Sequence, residues 1–272
     1  MQFTEARRNY FIELFEKEWE GKAIWEHIRD QRLSATPALE GELYNTAKTK
    51  IMFVGRALNG WEADYTDCTT LENTVESVLM QEGAFDTFVG GPCKSDCSGK
   101  RAYNHKNSKF FRFIKSILEN LGESDEGMDA TWDCDSKKWN HKFVWTNLYC
   151  ISPRSPKSGE NPNPTNRMIK PSMDTYVDLM KLYIEFYKPD AVVFVTDIVG
   201  WFEIWPNQKS FKNIVDNYNE CNIDNTIVAT GNLGGSKIIV CKRPDKIGLS
   251  YDDVTKMATT VAKYINVPTN CI

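Results

Sequence analysis

Lys50-Ile51-Met52-Phe53-Val54-Gly55-Arg56-Ala57-Leu58-Asn59-Gly60-Trp61 is a short apolar run that stops in a glycine-bounded polar loop. The residues from Lys50 to Val54 are too few for a helix. They suit a strand buried on both faces of a parallel sheet, where the apolar run is continuous. The loop that follows then lies at the carboxyl end of a central strand. In open α/β sheets helices cover both faces, and ligands bind in the crevice outside those strand ends.

Three further segments repeat the pattern. Phe143-Val144-Trp145-Thr146-Asn147-Leu148-Tyr149 is β-branched and aromatic and runs into Ile151-Ser152-Pro153. Ala191-Val192-Val193-Phe194-Val195-Thr196-Asp197 follows the proline break Lys188-Pro189-Asp190, and Lys237-Ile238-Ile239-Val240-Cys241 leads to Lys242-Arg243-Pro244-Asp245. Each strand ends in polar residues able to converge on one crevice.

Helical patterns alternate with these strands. Residues from about 4 to 32 read as an N-terminal helix, with Gly21 weakening its middle and marking a point at which it can split. Asn107-Ser108 precedes a stripe of Phe110, Ile114, Ile117, Leu118 and Leu121 with Gly122 beyond it, which gives a helix with both end signals. Pro171-Ser172-Met173 opens another, with Tyr176, Val177, Met180, Tyr183, Ile184 and Tyr187 on its inner face. A short aromatic helix over Val199 to Trp205, a basic one over about Lys209 to Tyr218 and a last one near Tyr251 to Ile265 complete the series. Thr226 to Ala229 pairs with Lys237 to Cys241, and Gly231-Asn232-Leu233-Gly234-Gly235 reads as the tight turn between them. A long insertion over about 62 to 106, rich in Gly, Asp, Thr and Cys, carries only a brief helical pattern near Leu71 to Met80. Loops of that length are usually functional or mobile.

The pattern specifies one α/β domain over residues 1–272, a three-layer α/β/α sandwich with a central, mostly parallel sheet and right-handed crossovers. Hydrophobic residues make up 41% and aromatic ones 12% of the 272 residues, enough for a sizeable core. The longest apolar runs fall far short of the roughly 20 residues of a membrane span. The first residues lack the apolar region of a signal peptide, so a cytoplasmic protein with no membrane partner is expected. Eight cysteines scattered over this length read mostly as reduced thiols, Cys150 and Cys241 at strand ends among them. A net charge of -4 argues against a surface coated for nucleic acid but leaves room for a local basic crevice.

The order of the strand ends resembles the uracil-DNA glycosylase superfamily over roughly residues 48 to 250. In that family a first strand ends in a glycine-led catalytic loop, matched by Gly55-Arg56-Ala57-Leu58-Asn59-Gly60-Trp61. A second ends in an asparagine that reads the base, matched by Asn147. A third follows a Lys-Pro-like break, matched by Lys188-Pro189-Asp190, and a fourth ends in a His-Pro-Ser-like turn, matched by Arg243-Pro244-Asp245. The resemblance implies a DNA glycosylase-like hydrolase of DNA repair, or a relative that binds damaged bases, with DNA, a nucleobase or a nucleotide as partner and no cofactor.

Two positions depart from the family. Ala57 stands where the family has an Asp or Asn that activates water, so Asn59, Glu62 or Asp64 would have to supply that function. Arg243 stands where the family has the histidine that stabilises the departing base, and its planar fork is a charge-assisted donor suited to that charge. Cleaving a glycosidic bond to a base puts negative charge on the base and positive charge on the sugar, so donors are needed on one side and a carboxylate or held water on the other. A base flipped from a duplex is held between aromatic or apolar side chains, for which Trp61 and Phe88 are candidates. The expected site is therefore Asn59, Glu62, Asp64 and Arg243 for chemistry, with Gly55, Arg56, Gly60, Trp61, Phe88, Asn147 and Pro244 for binding.

Each of these residues also has a plain reading. Asn59-Gly60 is a turn dipeptide, Trp61 a packing residue, Asn147 a turn cap and Arg243 a surface arginine before proline. A nucleotide or small-metabolite binding protein on the same fold, without glycosylase chemistry, remains the alternative. Cys93, Cys97, His105, Cys68, Cys134 and His141 invite a zinc reading, but no second close cysteine pair follows the first, and no metal is expected. The three histidines lie away from the strand ends, and no nucleophilic triad can be assembled.

Overall fold

The computed structural model describes residues 3–57, 65–81, 108–123, 142–154, 163–199, 202–203, 209–245 and 248–267. Helix α1 (Phe3–Glu16) buries Arg7, Phe11, Leu14 and Phe15, which recur at three- and four-residue spacing. Glu20 and Gly21 then take positive φ, 49° and 79°, the backbone of a two-residue hairpin turn. They join β1 (Glu18–Trp19) to antiparallel β2 (Lys22–Ala23), and α2 (Ile24–Arg29) follows. The helix expected over 4–32 is thus two helices split by a hairpin, since glycine is costly inside a helix and free to enter the left-handed region.

Fully buried His27 ties these pieces together. Arg32 Nη1 can only donate, so its 3.2 Å contact makes His27 Nδ1 an acceptor. Nε2 then carries the proton and donates to Trp19 O at 2.6 Å, holding the hairpin against α2.

Short strands β3 (Leu33–Ala35) and β4 (Leu39–Glu40) lead to β5 (Ile51–Ala57), the strand expected from Lys50 to Val54. Helix α3 (Leu71–Leu79) follows, its first turn capped by the Thr70 side chain. Helix α4 (Lys109–Asn120) has its expected caps, Ser108 at the start and Gly122 with φ of 70° beyond the end. After β6 (Phe143–Tyr149) and β7 (Ile151–Pro153) come the single turn α5 (Asn166–Ile169) and α6 (Met173–Tyr187). Lys188 leaves α6 in the left-handed conformation, just before Pro189 and β8 (Ala191–Val195). The chain closes with β9 (Asp216–Ile223), β10 (Ile227–Leu233), β11 (Ser236–Cys241) and α7 (Tyr251–Asn266).

Seven strands form one sheet in the order β4-β6-β5-β8-β11-β10-β9. The four expected strands β6, β5, β8 and β11 run parallel, so Gly55, Asn147 and the residues after Val195 and Cys241 share one edge. The sheet as a whole is mixed instead of mostly parallel, because β4, β10 and β9 each join it antiparallel. The expected basic helix over Lys209 to Tyr218 is replaced by a 3-10 turn, Phe211–Ile214, and then by β9. Phe211, Ile214, Val215 and Tyr218 do fall at helical spacing, but β10 offers them a strand to pair with, and the turn alone places Phe211 in the core. The turn of the β10–β11 hairpin is Gly234-Gly235, both at positive φ.

Helices cover both faces of the sheet. Met52, Val54, Val192, Phe194, Ile238 and Val240 share a core with buried residues of α1, α2, α3 and α6. Ile51, Phe53, Phe143, Val193, Ile239 and Cys241 share the opposite one with α4 and α7. This alternation along each strand is what a sheet sandwiched between two helical layers requires.

The amino edge of the sheet is closed by side chains that satisfy backbone groups. Asp190 Oδ2 accepts from Lys50 N at 2.8 Å, Glu123 Oε1 from Thr49 N at 2.7 Å, and Ser236 Oγ donates to Pro189 O at 2.5 Å. Buried Lys237 sends its Nζ to the end of α7, where it donates to Ile265 O at 2.7 Å, Tyr264 O at 3.4 Å and Val267 O. A cation there also meets the negative end of the helix dipole. Lys237→Met keeps the apolar stem and removes the donor, so urea denaturation is expected to show a loss of about 1–3 kcal/mol. An unchanged unfolding free energy would mean that water serves those carbonyls equally well.

Cys150 and Cys241 are buried free thiols, as expected from their strand-end positions. Burial pushes the Cys150 thiol up to about 12 and raises that of Cys241. Native protein treated with iodoacetamide near pH 8 is therefore expected to leave both unmodified on peptide mapping, and to lose them once denatured. Folded-state values above the unfolded one also mean that stability is fully present below the ordinary thiol value of 9.0 and falls as pH rises toward about 12.

Candidate functional site at the carboxyl edge

The parallel register of β5 on β6 sets Gly55 directly beside Asn147. A methyl group added at Gly55 would collide with Asn147 Oδ1 and lie 3.7 Å from Phe110 Cζ, so only glycine leaves room for the amide. Asn147 is 5% exposed, and its Nδ2 is buried with no acceptor among the described residues. A neutral donor held this way costs about 1–3 kcal/mol, unusual enough to require an explanation.

Arg56, the next residue of β5, points to the other side of the strand. Its Nε donates to Thr196 O at 2.9 Å and its Nη2 to Asp197 Oδ2 at 3.1 Å, with both charged side chains 19% exposed. Asp197 holds a left-handed backbone, φ 62°, and its N–H donates to Cys241 O at 3.0 Å. That bond brings the end of β8 against the end of β11 and places Arg243, two residues on, in the same electrostatic neighbourhood. The Arg56 guanidinium is pushed down to about 10, first by burial and then by the like charge of Arg243, with Asp197 opposing. Arginine stays protonated regardless, so the shift describes a cation under strain that favours anionic neighbours. Arg243 is lowered by burial and raised by Asp197.

Arg243 is engaged within its own turn. Its Nε donates to Asp245 Oδ1 at 2.6 Å and its Nη2 to the second carboxylate oxygen, a two-pronged grip across buried Pro244. Its fork therefore faces Asp245.

Of the residues expected from sequence, the structure brings Gly55 and Asn147 into one contact and Arg56 and Arg243 into one charged group, with Pro244 in the turn between Arg243 and its carboxylate. Asn59, Gly60, Trp61, Glu62, Asp64 and Phe88 lie outside the described residues, as do Cys93, Cys97, Cys134, His105 and His141. The expected single crevice resolves, among the described residues, into two neighbouring clusters on opposite sides of β5. Asp197, Thr196 and Asp245 were missed as members. For Asp197 the signal was available, since it follows its strand as Arg243 follows β11.

Among the described residues no helix is long and apolar enough to cross a membrane, and no group of three or more His, Cys, Asp or Glu could hold a metal ion. Comparison of the chain with protein-family models and with curated proteins finds no match.

Asp197→Asn keeps the shape of the pair and removes the charge that offsets Arg56. The expected cost in chemical denaturation is about 1–3 kcal/mol, and the double variant Arg56→Met with Asp197→Asn should lose less than the sum of the single ones, because the pair acts as a unit. Additive losses would show that the two residues stabilise the fold independently.

Proposed function

We propose that the carboxyl edge of the sheet recognises a nucleobase, and that the protein is a DNA glycosylase-like hydrolase or a relative that binds damaged bases. The reading rests on Asn147. A primary amide offers one donor and one acceptor side by side, which complements the carbonyl and N–H on the edge of a base. Its Nδ2 is already desolvated and unpaired, so a base carbonyl would gain the hydrogen bond without a further desolvation cost on the protein side. Gly55 holds the amide at the strand end. This is also the position at which the glycosylase family, which the order of strand ends resembles, carries its base-reading asparagine.

Hydrolysis asks for more than recognition. Water oxygen must add at C1′ while the bond from C1′ to the base nitrogen breaks and its electron pair leaves with the base. Arg243 is the donor placed to meet that charge, but only after it releases Asp245. Ala57 supplies no acid, and Asn59, Glu62 and Asp64 remain the groups to which water activation is assigned. The grip of Asp245 on Arg243 and the alanine at 57 favour a second reading, a nucleotide or small-metabolite binding protein that performs no cleavage.

Binding and cleavage are therefore measured separately. Fluorescence anisotropy at low salt with oligonucleotides carrying uracil or other altered bases is expected to show preference over undamaged DNA. Asn147→Ala should reduce that preference by about tenfold, the worth of one good paired contact. Alkali-induced strand scission then reports hydrolysis. If neither altered nor normal DNA binds, while a free nucleotide raises the melting temperature, the second reading stands in place of the first.

A further inference from the structure

Beyond Arg243 the carboxyl edge opens into a groove of about 590 Å³ between α7, the β9–β10 turn and the end of β11. Three cations line it, Lys242, Arg243 and Lys256, with Thr226 and Asn225 among the neutral groups. The two carboxylates on its wall are already engaged. Asp253 caps the start of α7, accepting from Ser250 N at 2.8 Å and Ser250 Oγ at 2.6 Å, and Asp224 accepts from Thr260 Oγ1 at 3.2 Å. Lys242 Nζ meets the neutral Asn225 Oδ1, and Lys256 makes no ion pair among the described residues. Lys256 shares the field of Asp253, and Arg243 is paired with a carboxylate, Asp245, that is not part of the groove wall.

From this arrangement we propose that the groove is a seat for a phosphoryl group, anchored by Arg243 with Lys242 and Lys256, and that Asp245 is the internal anion which the phosphoryl group displaces. A carboxylate bound through both oxygens marks the fork of Arg243 as ready for planar, two-pronged recognition, and phosphate oxygens make the same pair of contacts. The exchange is between like charges. The Arg243 side chain is 32% exposed and that of Asp245 40%, so the pair is weakly held and open to competition from solvent. The charge of Asp197 still acts on Arg243 when Asp245 leaves, so the cation is not left without a counter-charge. The seat shares Arg243 with the base-reading proposal but does not depend on it, because the groove is lined by neither Asn147 nor Gly55.

The test is calorimetric titration of the full chain with inorganic pyrophosphate, at low salt and near neutral pH. Wild-type protein is expected to bind weakly, and Asp245→Asn to bind about fivefold more tightly, the worth of one exposed ion pair removed from competition. Arg243→Gln should lose at least tenfold, and Lys256→Gln about twofold, with added sodium chloride weakening all of them. Circular dichroism checks that each variant is folded, and Lys256→Gln, on the outer face of α7, carries the test should Arg243→Gln unfold.

Absence of binding by both wild type and Asp245→Asn would overturn the seat. Equal affinity of those two proteins would overturn the role of Asp245, and undiminished binding by Arg243→Gln that of the anchor. A nucleoside monophosphate and an unphosphorylated single-stranded oligonucleotide, each used to displace pyrophosphate, separate a free nucleotide from a nucleic-acid backbone as the source, and displacement by either supports the seat. Pyrophosphate binding that neither a nucleoside monophosphate nor an oligonucleotide displaces would retain the seat for inorganic phosphates alone, and the base reading is tested separately by the anisotropy measurement.

Discussion

Strand β5 pairs in parallel with β6 on one side and β8 on the other, and its residues alternate between two helical layers. Its first four residues are shut off from water, which is why Ile51, Met52, Phe53 and Val54 are all apolar. Burying such side chains contributes about 1.5–3 kcal/mol each, and the pairing with β6 and β8 sets which of them enter each helical layer. Once β5 is fixed, β6 and β8 are fixed by it and β11 by β8, so the four strand ends have no freedom to separate. The polar residues at those ends are placed by the burial of the apolar ones before them.

The two edges of the sheet use that placement differently. At the amino edge the backbone groups and charges are closed off, with Asp190 on Lys50, Glu123 on Thr49, Ser236 on Pro189 and Lys237 on the end of α7. At the carboxyl edge Asn147 is buried with an unpaired donor, Asp197 takes a left-handed backbone, and Arg56 is held half out of water beside another arginine. Left-handed residues occur elsewhere too, Lys188 at the amino edge among them, but the carboxyl edge brings a buried amide donor, a left-handed Asp197 and two neighbouring arginines together. Such a concentration is expected where a ligand completes the interactions.

The parallel core, α3, α4, α6 and α7 were legible because their signals are local. Ser108 and Gly122 cap α4 within one helix length, and the apolar runs of the central strands need no partner to be recognised. Three features were hidden. Gly21 marks where the N-terminal helix splits, but the hairpin that fills the break has strands of only Glu18–Trp19 and Lys22–Ala23, too short for any periodicity. Strand β9 is mostly polar because it is the sheet's outer strand, so its identity comes from pairing with β10 and not from its own composition. The antiparallel additions to the sheet likewise follow from a tight glycine hairpin and from β4, a two-residue strand. In the site, Gly55 and Asn147 could be foreseen as strand ends, but their mutual contact requires the register. The Arg56–Asp197 pair joins residues 141 apart in sequence and has no local signature.

The charge arrangement at this edge constrains what can bind. Arg56 and Arg243 are offset by Asp197 and Asp245, so the described cluster is balanced when empty. The two carboxylates are not equivalent, however. Asp197 is fixed through its own backbone to Cys241 and shares low exposure with Arg56, and its loss would strand a half-buried cation. Among the described residues Asp245 is held by Arg243, in an exposed turn of three residues, where water and ions compete on nearly equal terms. An anion reaching Arg243 replaces one negative charge by another and leaves the Arg56 pair untouched, whereas a neutral ligand would have to leave Asp245 in place. On the proposed reading the edge exchanges an anion at Arg243 while Asn147, across β5, offers its donor to a neutral carbonyl. A ligand with a neutral polar ring and a negative group is the chemistry that satisfies both clusters together.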